Sequence, residues 1–210
     1  DGEMMRAVMT GKFGVEFLQF ERPQWDKFAG AESTFAYDTL MPDGKVLQFG
    51  STHLLGQNFS KAFDTQYVDE KGGKSLPYTT CFGPGMSRML AAVFIVHGDS
   101  KGLVFPYELA PVQVVIIPIS RDPEEMKQLQ AKAAELKKSL RSKGVRAEVD
   151  FSDKTPGFKY NYWEMRGVPF RVELGGRELK ESKLTLARRD NREKVQIPEN
   201  ELHSKLLELS

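Results

Sequence analysis

The 210-residue chain predicts two units of different class: an antiparallel α+β unit over residues 1–108 and an α/β unit over residues 109–210. Three observations predict this. In the first half, strand-like pieces follow one another across tight turn signals, as in an antiparallel sheet. In the second half, a β-branched run, an amphipathic helix and an alternating run follow in order, as in a βαβ unit with a parallel strand pair. Between them lies GLVFPYELAP, where Pro106 and Pro111 bracket the change of architecture.

Taken in order, residues 1–20 are apolar but interrupted by glycine, and their period is ambiguous. TFAYDTL, KVLQFGS and LPYTTCF read as strands separated by Pro42-Asp43-Gly44 and Gly72-Gly73. Ser87–Gly98 is apolar nearly all round, which predicts a buried helix. Val112–Ile119 has the composition of a strand covered on both faces. After it, Asp122 is placed to cap a helix, Pro123 to begin it, and Glu124 and Glu125 to favour its positive end. Met126, Leu129, Ala133, Leu136 and Leu140 form one apolar stripe, and Gly144 stops the helix. Val145–Phe151, Val168–Leu174 and Lys183–Arg189 read as strands, and Glu199–Leu209 as a closing helix.

Composition narrows the function classes. No apolar run approaches the length of a membrane span, and no signal peptide precedes the body. The first residue is Asp1 rather than Met, so the chain is expected to be a piece of something longer. The single cysteine, Cys81, excludes an internal disulfide and a cysteine-based zinc cluster, and fits a reducing, cytoplasmic setting. His53, His97 and His203 lack metal-ligand spacing, so no protein-held metal is predicted. The net charge of +1 conceals an asymmetry: residues 1–108 hold 10 Lys/Arg against 13 Asp/Glu, residues 109–210 hold 20 against 16. Lys154 to Lys194 is the most basic stretch, with 11 basic to 6 acidic residues. Such a face is either simply solvated or a contact for a polyanion.

Three stretches have residues suited to chemistry. GPGMSR, Gly83 to Arg88, pairs close-approach glycines with an arginine at a helix start; it is a plain turn or an anion site. Gln48, Ser51, Thr52, His53, Gln57 and Asn58 crowd donors and acceptors into eleven positions, as in a polar loop or a ligand-site wall. Tyr160 to Glu178 interleaves aromatic and basic residues, with Arg171 and Glu173 on one side of a strand. These groups suit either an edge strand with paired charges or a surface that stacks on and reads unpaired bases.

The order of these motifs resembles one family. KFAGAESTFAYDTLMPDGKVLQFGSTHLLGQNFSKAF, FGPGMSR, HGDSKGLVFPYELAPVQVVIIPI, TPGFKYNYWEMRGVPFRVELGGREL and ARRDNREK together are similar to prolyl-tRNA synthetase of the archaeal/eukaryotic type, a class II aminoacyl-tRNA synthetase. The resemblance runs from about Lys27 to Lys194. It implies the C-terminal part of an antiparallel class II catalytic sheet, followed by a mixed-sheet anticodon-binding domain. It implies the substrates ATP with Mg²⁺, proline and proline tRNA, and a homodimeric full-length enzyme. GPGMSR corresponds to class II motif 3, whose arginine, here Arg88, holds the ATP phosphates and is the implied catalytic residue. Gln48 and Ser51 fall at positions near the nucleotide, and Phe28 and His53 at positions lining the prolyl pocket. Tyr160, Glu164, Arg171, Arg177 and, with a one-residue shift, Lys194 fall at positions that contact anticodon bases.

Departures from the family pattern are the order Ser51-Thr52, Asp38 in place of a glutamate, and Phe82 in place of a tryptophan. Motifs 1 and 2 are not recognisable before Lys27, so the chain is expected not to activate proline on its own. The competing readings are a non-catalytic synthetase paralogue that binds RNA or a protein partner, and a threonyl or histidyl type. The QFGSTHLLGQNF wall speaks against the latter two.

Overall fold

A computed structural model describes residues 1–210. Contacts divide the chain into two units, residues 1–96 and 97–210. Residues 97–108, assigned to the first unit from sequence, therefore fold with the second. The reason is local bonding: the Leu103 amide donates to the Met165 carbonyl at 3.1 Å, the Phe105 amide to Gly167, and Asp99 pairs with Arg189.

The first unit contains α1 (Gly2–Met9), β1 (Leu18–Glu21), β2 (Ser33–Leu40), β3 (Val46–Gly56), α2 (Asn58–Ala62), β4 (Tyr67–Val68), β5 (Lys74–Ser75), β6 (Thr79–Pro84) and most of α3 (Met86–His97). Its main sheet has the order β1-β2-β3-β6 and is antiparallel throughout, as the sequence predicts. The ambiguous N-terminal stretch resolves into α1 and the edge strand β1. Under the sheet, Phe17, Tyr37 and Phe49 interlock edge-to-face and stacked, with ring centroids 5.3–6.3 Å apart. Met5, Met9 and Val15 are buried as well. QFGSTH does not form a loop; it is the middle of β3, paired with β2 and, from Gly50 onward, with β6 as well.

Helix α3 corrects one expectation. Only Met89, Ala92 and Val93 are buried, while Met86, Leu90 and Ile95 are exposed. Its continuous apolar run supplies one packing stripe within this unit, and the remaining apolar face stands open to solvent.

The second unit contains β7 (Val114–Ile119), α4 (Pro123–Ser142), β8 (Ala147–Val149), α5 (Pro156–Met165), β9 (Phe170–Gly175), α6 (Gly176–Glu181), β10 (Lys183–Arg188), β11 (Lys194–Pro198), a short 3₁₀ turn at Glu199–Glu201, and α7 (Leu202–Leu209). The sheet order is β11-β10-β9-β7-β8; β7 pairs in parallel with β8 and β9, and the β9-β10-β11 pairs are antiparallel. This is the mixed sheet the sequence predicts. Asp122 caps α4, accepting the Glu124 and Glu125 amides at 2.8 and 2.9 Å. The α4 stripe packs with Val114 and Ile116 of β7, Val172 and Leu174 of β9, and Leu202 and Leu206 of α7. The opposite face of β7, Val115 and Ile117, is covered by Val168 with Tyr160 and Trp163 of α5. β7 is thus apolar throughout because both its faces are covered.

Candidate functional site

On the first unit the predicted residues share one face of the sheet, and a bulge brings this about. Gln48 and Ser51 are three apart, which on a regular strand would put them on opposite faces. The register shifts between Tyr37 and Asp38, so Gln48 pairs with Asp38 while Ser51 pairs with Ala36. Asp38 and Ala36 are two apart on β2, and so Gln48, Ser51 and His53 all face the same side. Across the strands, Ala36, Ser51 and Gly83 form a row of small groups in register. A Cβ placed on Gly83 would meet only the Ser51 carbonyl, at 3.9 Å, so the row leaves a shallow floor.

His53 borders this floor. Its Nδ1 lies 2.9 Å from Thr34 Oγ1, and its Nε2 lies 3.0 Å from Ser51 Oγ. The Phe28 ring lies 4.6 Å from the imidazole, tilted by 33°, and Phe59 stacks behind Phe28. Burial pushes the His53 pKa down, so the ring is neutral near pH 7. At the other end of the floor, Arg22 Nη2 reaches both Asp38 oxygens at 2.7 and 2.9 Å and the Gln48 Oε1 at 3.1 Å. Arg88, exposed at the first turn of α3, donates from Nη1 to the Gln48 carbonyl at 3.1 Å. All five residues predicted in this unit therefore gather along β3 and its rim. Arg22 and Thr34 were missed; the signal for Thr34 was its alternation with Ala36 and Asp38 along a strand that faces the site, whereas Arg22 enters only through its bonds to Asp38 and Gln48.

On the second unit, four of the five predicted residues meet. Arg171 on β9 donates from Nε and Nη2 to Glu173 Oε1, at 3.1 and 3.0 Å, and from Nη1 to Glu164 on α5, at 3.3 Å. Its guanidinium lies 4.0 Å from the centre of the Tyr160 ring. Lys194 of β11 reaches the same Glu173 carboxylate at 2.8 Å and lies 5.7 Å from Tyr160. Burial, with Glu173 beside it, pushes the Tyr160 hydroxyl up to about 12, so it stays protonated. Arg177 is not brought in: it is exposed on α6 and pairs with Glu181 at 3.1 Å.

Glu173 is the hub that the set of predicted site residues lacked. Two further supports also went unread. Asp150 is buried and accepts from Trp163 Nε1 at 2.8 Å and from Ser152. Burial pushes its carboxyl up, but those bonds and the Lys159 charge more than offset this, and its pKa ends lowered. Arg189 is buried, donates to the Glu164 carbonyl at 3.0 Å and forms a two-pronged pair with Asp99 at 2.6 and 2.9 Å. Both supports fix α5, the helix that presents Tyr160 and Glu164. No group of three or more His, Cys, Asp or Glu side chains is arranged to hold a metal, and no helix is long and apolar enough to cross a membrane.

Comparison with known proteins matches each unit to a family model. Residues 4–97 match the tRNA synthetase class II core domain (G, H, P, S and T), and residues 113–209 match the anticodon binding domain. The whole chain is 45% identical over 210 residues to a proline--tRNA ligase of Thermofilum pendens, covering 44% of that protein. It is 46% identical over 198 residues to the proline--tRNA ligase of Methanopyrus kandleri and 50% over 188 residues to that of Methanococcoides burtonii, covering 94% and 89% of this chain.

The chain belongs to the class II tRNA synthetases.

The family and fold expected from the sequence are both borne out, and the second unit is a class II synthetase anticodon-binding domain. The chain spans about two-fifths of the length of the curated relatives it matches, from 38% to 44% for these three. Within this class II synthetase chain, the β3 face lies in the part matched by the core domain and the Arg171 cluster in the part matched by the anticodon-binding domain.

Proposed function

We propose that this chain supplies one wall of the prolyl-adenylate pocket and the anticodon-reading domain of a proline--tRNA ligase. Such an enzyme activates proline with ATP and transfers it to proline tRNA. One observation carries the reading of the first unit: Gln48, Ser51 and His53 share a single sheet face, bounded by Phe28 at one end and Arg88 at the other.

The geometry suits that chemistry. Phe28 and the neutral His53 form an apolar, flat wall suited to a pyrrolidine ring. Thr34 Oγ1 already accepts the Phe28 amide at 3.0 Å, so its own proton is assigned toward His53 Nδ1. Nε2 then donates to Ser51, and the Ser51 proton is left for a ligand over the Ala36–Ser51–Gly83 floor. With both ring nitrogens engaged, His53 orients and does not shuttle protons. Arg88 has a guanidinium at the exposed rim, where it can meet phosphate oxygens as charge builds on them during adenylate formation. Mg²⁺ would arrive with ATP, on the phosphates, and neutralise the same charge.

In the second unit, Glu164 and Arg171 present an acceptor and a fork of donors beside the Tyr160 ring. That set can pair with the edge of a guanine and stack on its face. Lys194 and the outlying Arg177 add cations for the backbone. Homodimerisation of the full-length enzyme, a cytoplasmic location and the use of ATP with Mg²⁺ belong to the same reading, supported by the family match. The ligase names of the relatives favour it over a non-catalytic paralogue.

The deciding experiment measures binding of this chain to proline tRNA and to the same tRNA with one anticodon G replaced. Discrimination of at least tenfold is expected, and equal affinity sinks the anticodon assignment. ATP–pyrophosphate exchange by the 210 residues alone is expected to be absent; robust exchange would show that the pocket is complete without more chain.

A further inference from the structure

Helix α5 has three faces, and the anticodon proposal uses only one of them. Tyr160 and Glu164 look toward Arg171, and Lys159 and Trp163 are tied down to Asp150. The third face is open. Phe158 is 52% exposed and stacks on Tyr162 one turn later, with centroids 6.3 Å apart and planes 23° from parallel. Cations close both ends of this pair: Lys154 lies 5.8 Å from the Phe158 ring centre, and the Arg166 guanidinium 3.6 Å from that of Tyr162. Beside the pair runs a groove of about 270 Å³, lined by Lys101, Phe158, Asn161, Tyr162, Glu164 and Met165.

We propose that this groove is a second nucleotide site, which holds one unpaired nucleotide next to the bases read at Arg171. The inference rests on the anticodon reading above. Four features point to this occupant. The groove is smaller than the roughly 300 Å³ at which small-molecule clefts begin, and it is open along one side, as a single flat ring requires. Its walls are aromatic faces and a methionine, which stack on any base. The Asn161 amide and the Lys101 ammonium make no hydrogen bond within the chain, so one is available for a base edge and the other for a phosphate. Its one acid, Glu164, is already bonded to Arg171, which leaves the rim at Lys101, Lys154 and Arg166 net positive.

Continuity supplies the order of the bases. Glu164 belongs both to the groove and to the Arg171 cluster. A strand that places one base against Tyr160 and Arg171 is therefore within one nucleotide's reach of Phe158. The helix edge between them separates two consecutive bases of a single-stranded loop. A protein partner would meet the same cations but would gain nothing from two parallel, cation-capped ring faces.

The test uses this 210-residue chain, proline tRNA, and a set of the same tRNA with an abasic nucleotide at each anticodon-loop position in turn. Phe158→Ala is expected to weaken binding of intact tRNA by about 5- to 100-fold, the effect of losing one base–aromatic stack. One abasic position flanking the recognised bases should weaken wild-type binding by a similar factor and leave the Phe158→Ala protein unaffected. The salt slope should be unchanged in Phe158→Ala, and shallower by about 0.7 for each of Lys154→Gln and Arg166→Gln that meets a phosphate. Unchanged thermal melting of Phe158→Ala, whose side chain is half exposed, shows that the fold is intact; if the melt shifts, Phe158→Leu is used in its place. Should wild type discriminate anticodon bases while Phe158→Ala binds every RNA as wild type does, the groove is not a nucleotide site and a protein partner takes its place. Should wild type itself fail to discriminate, the anticodon reading has failed instead.

Discussion

On the first unit, His53 is held by two hydroxyls and faces a ring; on the second, Arg171 is held by two carboxylates and faces a ring. Both sites position one polar side chain on a strand, and both place an aromatic beside it. What differs is charge. The β3 face is neutral around His53, with Arg22, paired to Asp38 and Asp26, reaching the sheet two strand positions beyond Ser51. The β9 face packs Glu164, Arg171, Glu173 and Lys194 around one tyrosine. A small apolar amino acid is recognised by shape and dry hydrogen bonds, which vary little with salt. A polyanion is recognised by cations, whose contribution falls as salt rises. On the proposed anticodon reading, the charged site must also keep its cations from binding any RNA indiscriminately, and Glu173, paired with both Arg171 and Lys194, would meet that need.

The largest effect that would break this comparison lies beneath the neutral site. Phe49 is fully buried against Phe17 and Tyr37 and sits in the bulge that aligns Gln48 with Ser51. Phe49→Ala is expected to destabilise the first unit by about 3–5 kcal/mol. Urea unfolding followed by hydrogen exchange of the β2 and β3 amides would read this. A loss under 1 kcal/mol would mean that the aromatic triad is not what holds the bulge.

Next comes the support of the charged site. Arg189→Met removes the two-pronged partner of Asp99, leaving it only Arg192 at 3.6 Å, and the donor to the Glu164 carbonyl. Breaking a buried pair costs about 3–5 kcal/mol; because the Asp99 side chain is 34% exposed, the expected loss is nearer 2–3 kcal/mol. Discrimination between anticodons should fall with it, since Glu164 loses its anchor, whereas the β3 site should be untouched. Proline-pocket and anticodon effects that move together would contradict the separation drawn above.

How much of this was legible follows from the period of each signal. The β7–α4–β8 unit was plain because its stripe, cap and stop are local and mutually consistent. The faces of α5 were not: its apolar, aromatic and charged residues serve three surfaces at once, so no single stripe stands out in PGFKYNYWEM. KVLQFGS read as a strand, but its polar continuation left a loop and a ligand-site wall both open, because a site-facing strand carries small and polar groups where a core strand carries valines. Its bulge depends on the pairing with β2, which no local pattern records. Asp99 and Arg189 are ninety residues apart, and a pair of that separation leaves no trace in spacing. Motif order named Tyr160, Glu164, Arg171 and Lys194; Glu173 was legible only as a neighbour of Arg171 on one strand face, because its role lies in the two cations it binds.

A smaller effect sharpens the electrostatic half. Glu173→Gln leaves Arg171 and Lys194 without their shared counter-ion. Affinity for RNA lacking the proline anticodon is expected to rise a few-fold, and the salt slope to steepen by about 0.7 for each phosphate gained. A variant that binds all RNAs more weakly, with an unchanged slope, would show that Glu173 only braces the fold.

The smallest expected effect is set by pH. Asp99 has its pKa lowered from 3.8, first by the hydrogen bond from Arg189 and then by the surrounding charges. A depressed carboxylate contributes stability that is full above its unfolded value and is lost as pH falls through the folded one. The second unit should therefore hold its stability from neutrality down to about pH 4 and lose this contribution only below it. His53, lowered from 6.5 by burial, behaves differently: its neutral form is the bound one, so the first unit's contribution is full above 6.5 and fades as pH falls through the lower folded value. As pH falls below 6.5 the β3 site should begin to loosen, while the Asp99 contribution to the anticodon unit stays intact down to 3.8. Separate melts of the two units across that window would read the order directly, and the reverse order would mean that His53 is not the neutral, hydroxyl-held ring described here.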